Sequence, residues 1–183
     1  MVTLNTIIYV ISAAFWLMIP AYLPNSAAAL IKGELPLDFK KNFIDGRRIL
    51  GDGKTYRGFI GGTLCGFIIG LIQMISVETY NPFGMPHLEV IGILCLSFGA
   101  MFGDSAASFI KRRLGLKRGD MFPVVDQLDF VFGAWFICLI FTREWFLSVF
   151  TLDIIIATIV ITPIIHIGVN RIAYKMGKKD VPW

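Results

Sequence analysis

From Leu4 to Leu23 the chain carries no charged side chain. About 20 residues at 1.5 Å rise cross the ~30 Å of bilayer hydrocarbon. Backbone in hydrocarbon must satisfy its own hydrogen bonds, so a run like this is stable there as a helix. Comparable apolar runs follow at Phe59–Val77, Val90 to about Ser108, Phe130–Phe141 and Leu152–Val169. Pro163 predicts a kink in the last of them. No Lys or Arg precedes Leu4, and the first run is longer than a secretory signal core. It therefore reads as a retained helix ending near Pro20 and Pro24. The expected fold is an all-α integral membrane protein, one polytopic domain over residues 1–183 with about five transmembrane helices.

Composition removes the alternatives. Charged types make up 16% of the 183 residues and apolar types 56%, against roughly 25% and 45–50% in soluble domains. So apolar a chain is not disordered. Three cysteines, Cys65, Cys95 and Cys138, supply no disulfide framework and no zinc spacing. They read as small packing residues inside helices. Trp145, Phe146 and Phe150, between the fourth and fifth runs, fit an interfacial aromatic belt.

The net charge of +4 conceals a strongly one-sided distribution. Seven Lys or Arg lie within residues 32–57, five within 111–118 and four at Arg171, Lys175, Lys178 and Lys179, leaving only Arg143 elsewhere. Five spans put all three basic segments on one face. The positive-inside rule makes that face cytoplasmic, with the N-terminus outside and the C-terminus inside. Four or six spans would divide them.

Two spans are too short unless they take in acids. Phe130–Phe141 is twelve residues, ~18 Å of helix, so Asp129 and Asp126 are drawn to membrane depth. Val90–Gly103 is fourteen, ~21 Å, and Asp104 follows. Asp126 and Asp129, three apart, share a helix side. A carboxylate at that depth costs ~2.5–3.5 kcal/mol or more. One reading is a divalent-metal site with oxygen ligands suited to magnesium. The other is helix capping by Asp126 and Asp129, with Asp104 paired to Lys111 or Arg112. Lys111, Arg112, Arg113, Lys117 and Arg118 lie between the acids and suit a phosphate-rich ligand. A positive-inside anchor explains the cations but not the acids.

The first loop adds Arg47, Arg48 and the run Gly51-Asp52-Gly53-Lys54-Thr55-Tyr56-Arg57-Gly58. Glycines beside Lys and Thr let a backbone approach phosphates. It is not a P-loop, because Arg48 stands where that motif needs its first Gly. Gly58, Gly62, Gly66 and Gly70 recur every four residues. Such a stripe packs against another span or a second protomer, so a homodimer is one expectation. Asn25, His166 and Asn170 carry no assigned role. The acids cluster near one face, which argues against a transporter or flippase path through the membrane. A non-catalytic helical subunit would explain the glycines but not the acids.

Gly103-Asp104-Ser105-Ala106-Ala107-Ser108-Phe109-Ile110-Lys111-Arg112 resembles the signature of the membrane CTP-dependent phosphatidate cytidylyltransferases. Lys117-Arg118-Gly119-Asp120, Pro123 and Asp126-Gln127-Leu128-Asp129 stand where that family has its Lys-Asp loop, proline and closing acidic motif. The chain is short and has Val124-Val125 in place of a Gly-His-Gly-Gly stretch. These departures resemble the archaeal branch of the family, the CDP-archaeol synthases. The likeness spans about Asn25 to Ala134.

The resemblance implies CTP and an isoprenoid ether-lipid phosphate as partners, with membrane lipid around the chain and no nucleic acid. It implies cytidylyl transfer with release of pyrophosphate at the cytoplasmic face of the cell membrane. Asp104, Asp126, Lys111 and Arg112 become the expected catalytic residues. Lys54, Thr55, Arg57, Ser108 and Lys117 become the expected CTP and phosphate ligands. Asp104, Asp126 and Asp129 would hold Mg2+. The working loops are about 32–57 and 109–127.

Overall fold

The computed structural model describes residues 3–31, 33–117 and 120–177. Lys32, Arg118, Gly119, Lys178 and Lys179, which the sequence reading used, lie outside the described residues. Six helices follow in order: α1 Leu4–Ile31, α2 Tyr56–Thr79, α3 Val90–Arg113, α4 Val125–Phe141, α5 Arg143–Val149 and α6 Leu152–Lys175. No strand occurs among the described residues, only isolated bridges Pro36–Thr55 and Asn42–Arg48 in the first loop. The helices α1, α2, α3 and α6 are long and apolar enough to cross a membrane. With 17 residues, α4 reaches ~26 Å, the lower limit for a span.

The first helix does not end at its prolines. It runs through Pro20 and Pro24 to Ile31. A proline lacks the N–H that would bond the carbonyl four residues earlier. Pro20 thus frees the Trp16 carbonyl, and the buried Gln73 of α2 donates its side-chain amide there at 3.1 Å. Pro24 frees the Pro20 carbonyl, which lies against Gly66; a Cβ built on Gly66 would stand 2.4 Å from that oxygen. Gly62 meets the Pro24 carbonyl in the same way, at 2.5 Å. The four-residue glycine stripe therefore packs within the chain, chiefly against α1. Neighbouring helices re-satisfy backbone that prolines expose in a membrane helix.

A second close crossing joins α3 to α4. A Cβ on Gly103 would lie 2.3 Å from the Asp129 carbonyl, and one on Gly133 would lie 2.4 Å from the Gly103 Cα. Gly99 faces Ala134 at 2.6 Å. This Gly99–Gly103 pair, four residues apart, sets Asp104 beside the first turns of α4.

The three aromatic residues after the fourth run pack against the bundle. Trp145, Phe146 and Phe150 are buried. The rings of Phe146 and Phe150 stack on each other and meet Trp135 of α4 edge-on, and the Trp145 indole donates to the His87 carbonyl. The short α5 folds back onto α4, held there by these rings. All three cysteines are free, and Cys95 and Cys138 are buried, as packing residues should be.

Candidate functional site

The loop between α1 and α2 is organised by Asp38, which the sequence reading missed. Its carboxylate accepts from the Arg48 guanidinium at 2.8 and 3.1 Å and from the backbone N–H groups of Lys40, Leu50 and Gly51. Burial by itself would raise its pKa, but Arg48 and the three amides hold it well below the usual carboxylate range. Spacing does not set Asp38 apart from Asp45 or Asp52; only its contacts do. A depressed pKa contributes stability that is present above the unfolded value, near ~4, and lost as pH falls below it. We expect the thermal midpoint of the detergent-solubilised protein to fall as pH drops below about 4. Asp38→Asn should flatten part of that slope and lower the midpoint at neutral pH. An unaltered pH profile would count against Asp38 as the organiser.

The loop then docks on the end of α3. That helix terminates in a Schellman arrangement: Leu116 N–H donates to the Lys111 carbonyl and Gly115 N–H to that of Arg112. Gly115 has φ +80°, a conformation costly for any residue with a Cβ. Arg47 donates to the carbonyls of Arg112 and Arg113, placing a cation at the negative helix end. Arg113 returns the contact by donating to the Arg47 and Arg48 carbonyls. Its guanidinium lies over the rings of Phe43 and Phe109 at 4.9 and 4.8 Å. Arg47, Arg48 and Arg113 thus hold the loop in place.

This docking brings the charges of the site together from four segments. Lys54 pairs with Asp104. The Lys111 ammonium donates to both oxygens of Asp126 at 2.9 Å, and Phe122 N–H donates to one of them at 3.0 Å. Asp129 accepts from Phe130 N–H and lies within electrostatic range of Asp104, Lys54 and Asp126. Asp104 therefore pairs with neither Lys111 nor Arg112. Among the described residues no group of three His, Cys, Asp or Glu side chains is arranged to hold a metal ion, and lysines pair with two of the three acids expected to do so. Both pairs are partly buried, with Lys111 14% and Asp126 30% exposed. Removing one partner would strand the other charge.

The remaining candidates sit around this core. Arg112 donates to the Leu116 carbonyl. Its Nε is buried without an acceptor, below Gly51, whose added Cβ would lie 3.7 Å away. Thr55 caps α2, its hydroxyl oxygen accepting from Gly58 N–H at 3.1 Å. Arg57 and Lys117 are exposed and Ser108 is half-buried. Val125 N–H bonds the Pro123 carbonyl across Val124, at φ +69° and ψ −50°. That is a strained γ-turn centred on a β-branched residue, at the entrance to α4. Asn25 has a buried side-chain oxygen with no donor. His166 and Asn170 join each other at 3.1 Å on α6 and face the Asp126 side of the site.

The arrangement is an acid and ammonium cluster at the ends of apolar helices, with a buried guanidinium donor beside it. A family model described as CarS-like CDP-archaeol synthase matches residues 7–183. A CDP-archaeol synthase of Methanocella arvoryzae is 52% identical over 174 residues, covering 91% of this chain and all of that one. Another from Methanoregula boonei is 49% identical over 166 residues with the same coverage. A solved intramembrane enzyme for archaeal membrane lipids biosynthesis superposes with a TM-score of 0.70 at 30% identity, over 86% of this chain and 92% of that one.

Proposed function

The chain belongs to the CDP-archaeol synthase family, and on that premise we propose that its paired charges carry out cytidylyl transfer from CTP to an unsaturated isoprenoid ether-lipid phosphate. An oxygen of the lipid phosphate attacks the α-phosphorus of CTP. The bond from that phosphorus to the β-phosphate's bridging oxygen breaks, and pyrophosphate leaves. The products are CDP-archaeol, with its isoprenoid chains unsaturated, and pyrophosphate. Such transfers depend on positioning and charge neutralisation more than on covalent chemistry.

The observation that carries this reading is the pairing of Lys54 with Asp104 and of Lys111 with Asp126, with the unsatisfied Arg112 Nε under Gly51 of the loop that carries Lys54. The two ammonium groups are point-charge partners for phosphate, and the Arg112 Nε is a buried donor in need of an oxygen. Lys54 and Arg112 bind the triphosphate from the loop side. Arg57, Ser108 and Lys117 form the outer rim, and Thr55 acts through the α2 N-terminus it caps. Asp104, Asp126 and Asp129 do not converge as a metal site while Lys54 and Lys111 pair with two of them; they are hard oxygen donors that would take magnesium once the phosphates draw those lysines away. Held there, magnesium would offset charge on the triphosphate and the leaving pyrophosphate.

We read α4 as the fifth crossing, with the basic end of the bundle cytoplasmic in the cell membrane. CTP is soluble and the acceptor is a lipid, so a site at the helix ends meets both. Lys54→Ala tests the loop's part. With radiolabelled CTP and lipid phosphate in mixed micelles, its KM for CTP should rise about tenfold, the loss of one charge-assisted contact. An unchanged CTP dependence removes the first loop from the nucleotide site. Absence of any labelled lipid from the wild type refutes the reaction.

A further inference from the structure

The crossing of α3 and α4 continues past the glycines that place the acids. Each turn back along α3 meets one turn forward along α4. Gly103 lies against Asp129 and Gly133, and Gly99 against Gly133 and Ala134. One turn further the facing pair is Cys95 and Cys138, whose thiols contact each other. Cys138 Sγ also lies 4.0 Å from the Gly92 carbonyl, and the Trp145 ring covers Gly92. Cys138 is fully buried and Cys95 is 6% exposed.

Packing alone does not account for both sulfurs. The two preceding levels of the crossing use Gly and Ala, which already let the backbones come close. One thiol would fill the space left as the helices diverge; two set sulfur against sulfur. Cysteines can be bridged when their Cα atoms are about 4.4–6.8 Å apart and their Cβ vectors converge. One turn away, a Cβ on Gly99 would stand 2.6 Å from the Ala134 Cα, so the helices are near their closest approach. Thiols in contact across such a pair of helices can bond by a side-chain rotation. The third cysteine, Cys65, is half-buried on α2. The pair also lies away from the charges, since Cys95 precedes Asp104 by nine residues, ~13 Å of helix.

We propose that Cys95 and Cys138 are a disulfide-forming pair, a covalent modification site that ties α3 to α4 in the presence of a membrane-permeant two-electron oxidant of the azo or quinone class. Two S–H bonds break and one S–S bond forms. The two electrons and two protons pass to the oxidant, which becomes a hydrazine or a hydroquinone. A dithiol reverses the step by thiol–disulfide exchange. Reduced, the two residues pack the crossing. Oxidised, they staple it, and the acids at the far end keep their places.

Diamide, a permeant azo oxidant, tests this on the full chain in mixed micelles. Alkylation in denaturant should count all three thiols before treatment and one after. Proteolysis without reductant should yield the Cys95 peptide joined to the Cys138 peptide, with Cys65 alkylated. The thermal midpoint should rise by about 10 °C, the scale for closing a loop of roughly forty residues, and dithiothreitol should return it. Cys95→Ser and Cys138→Ser should each abolish both the linked peptide and the rise, whereas Cys65→Ser should keep both. CDP-lipid formation by the oxidised protein should stay within about twofold, because the staple is remote from the charges. Absence of the linked peptide with diamide and also with copper–phenanthroline in air would overturn the proposal. So would a linkage through Cys65, or a midpoint that does not rise. Linked protein that has lost turnover would refute the claim that the acids keep their places.

Discussion

Replacing Asp126 by Asn should lower cytidylyl transfer by about a hundredfold at saturating CTP, the scale for losing a preorganised charge at a reacting phosphate. Asn keeps an oxygen that can accept from Phe122 N–H, which Asp126 does at 3.0 Å, so the turn before α4 should persist. It gives up the negative charge that holds Lys111 at 2.9 Å and that would bind magnesium. The variant should need more magnesium as well as turning over more slowly. Initial rates with radiolabelled CTP across a magnesium titration check both effects. A rate near wild type with magnesium limiting would remove Asp126 from the metal assignment. The thermal midpoint in detergent, read alongside, separates this from unfolding.

Gly133→Leu should be the most damaging single change outside the charged cluster. Even a Cβ at Gly133 would come within 2.4 Å of the Gly103 Cα and 2.5 Å of the Gly99 carbonyl. Backbone cannot move aside as a flexible side chain does, so α3 and α4 must separate. The cost should reach about 3 kcal/mol, the upper range for overpacking. Separation also moves Asp104 away from Asp129, so activity should fall together with stability. Phe132→Leu is the control: Phe132, the preceding residue, is itself 53% exposed, and that variant should stay close to wild type. Denaturant unfolding in mixed micelles measures the first effect and CDP-lipid formation the second. If Gly133→Leu keeps wild-type stability, the close crossing is not what positions the acids.

Some features of the site can be read without coordinates because their cause is local. A charge at membrane depth is costly wherever the helix packs, so Asp104, Asp126 and Asp129 stand out from the apolar runs around them. The same logic picks out Lys111 and Arg112 at the end of α3. The partners of these acids are a different matter. Lys54 reaches Asp104 across fifty residues of chain because Arg47 caps α3 and Asp38 folds the loop. No spacing rule contains that. Asp38 itself looks like any other acid in a basic loop until its five donors are seen.

The glycines divide in the same way. The stripe in α2 announces close packing by its period, but not its partner. Its partner is α1, whose Pro20 and Pro24 carbonyls lie where a Cβ on Gly66 or Gly62 would stand. Those prolines misplace the end of α1 in a sequence reading, since in water they would break the helix. In a packed membrane bundle, Gln73 donates to the Trp16 carbonyl that Pro20 frees, and the bare face of α2 leaves room for the Pro20 carbonyl against Gly66. Trp145, Phe146 and Phe150 stand out in the sequence as aromatics near a span end; that they complete the core through Trp135 is visible only in the fold.

What the sequence by itself determined is the set of helices that prefer lipid, the single basic end of the bundle and the acids that lipid would exclude. These follow from transfer free energies, which depend on residue type and not on neighbours. Only the tertiary structure decided which lysine meets which aspartate and which loop covers them. Those are contacts between segments far apart in the chain, set by where backbone can come close and where a freed carbonyl or helix end must find a donor.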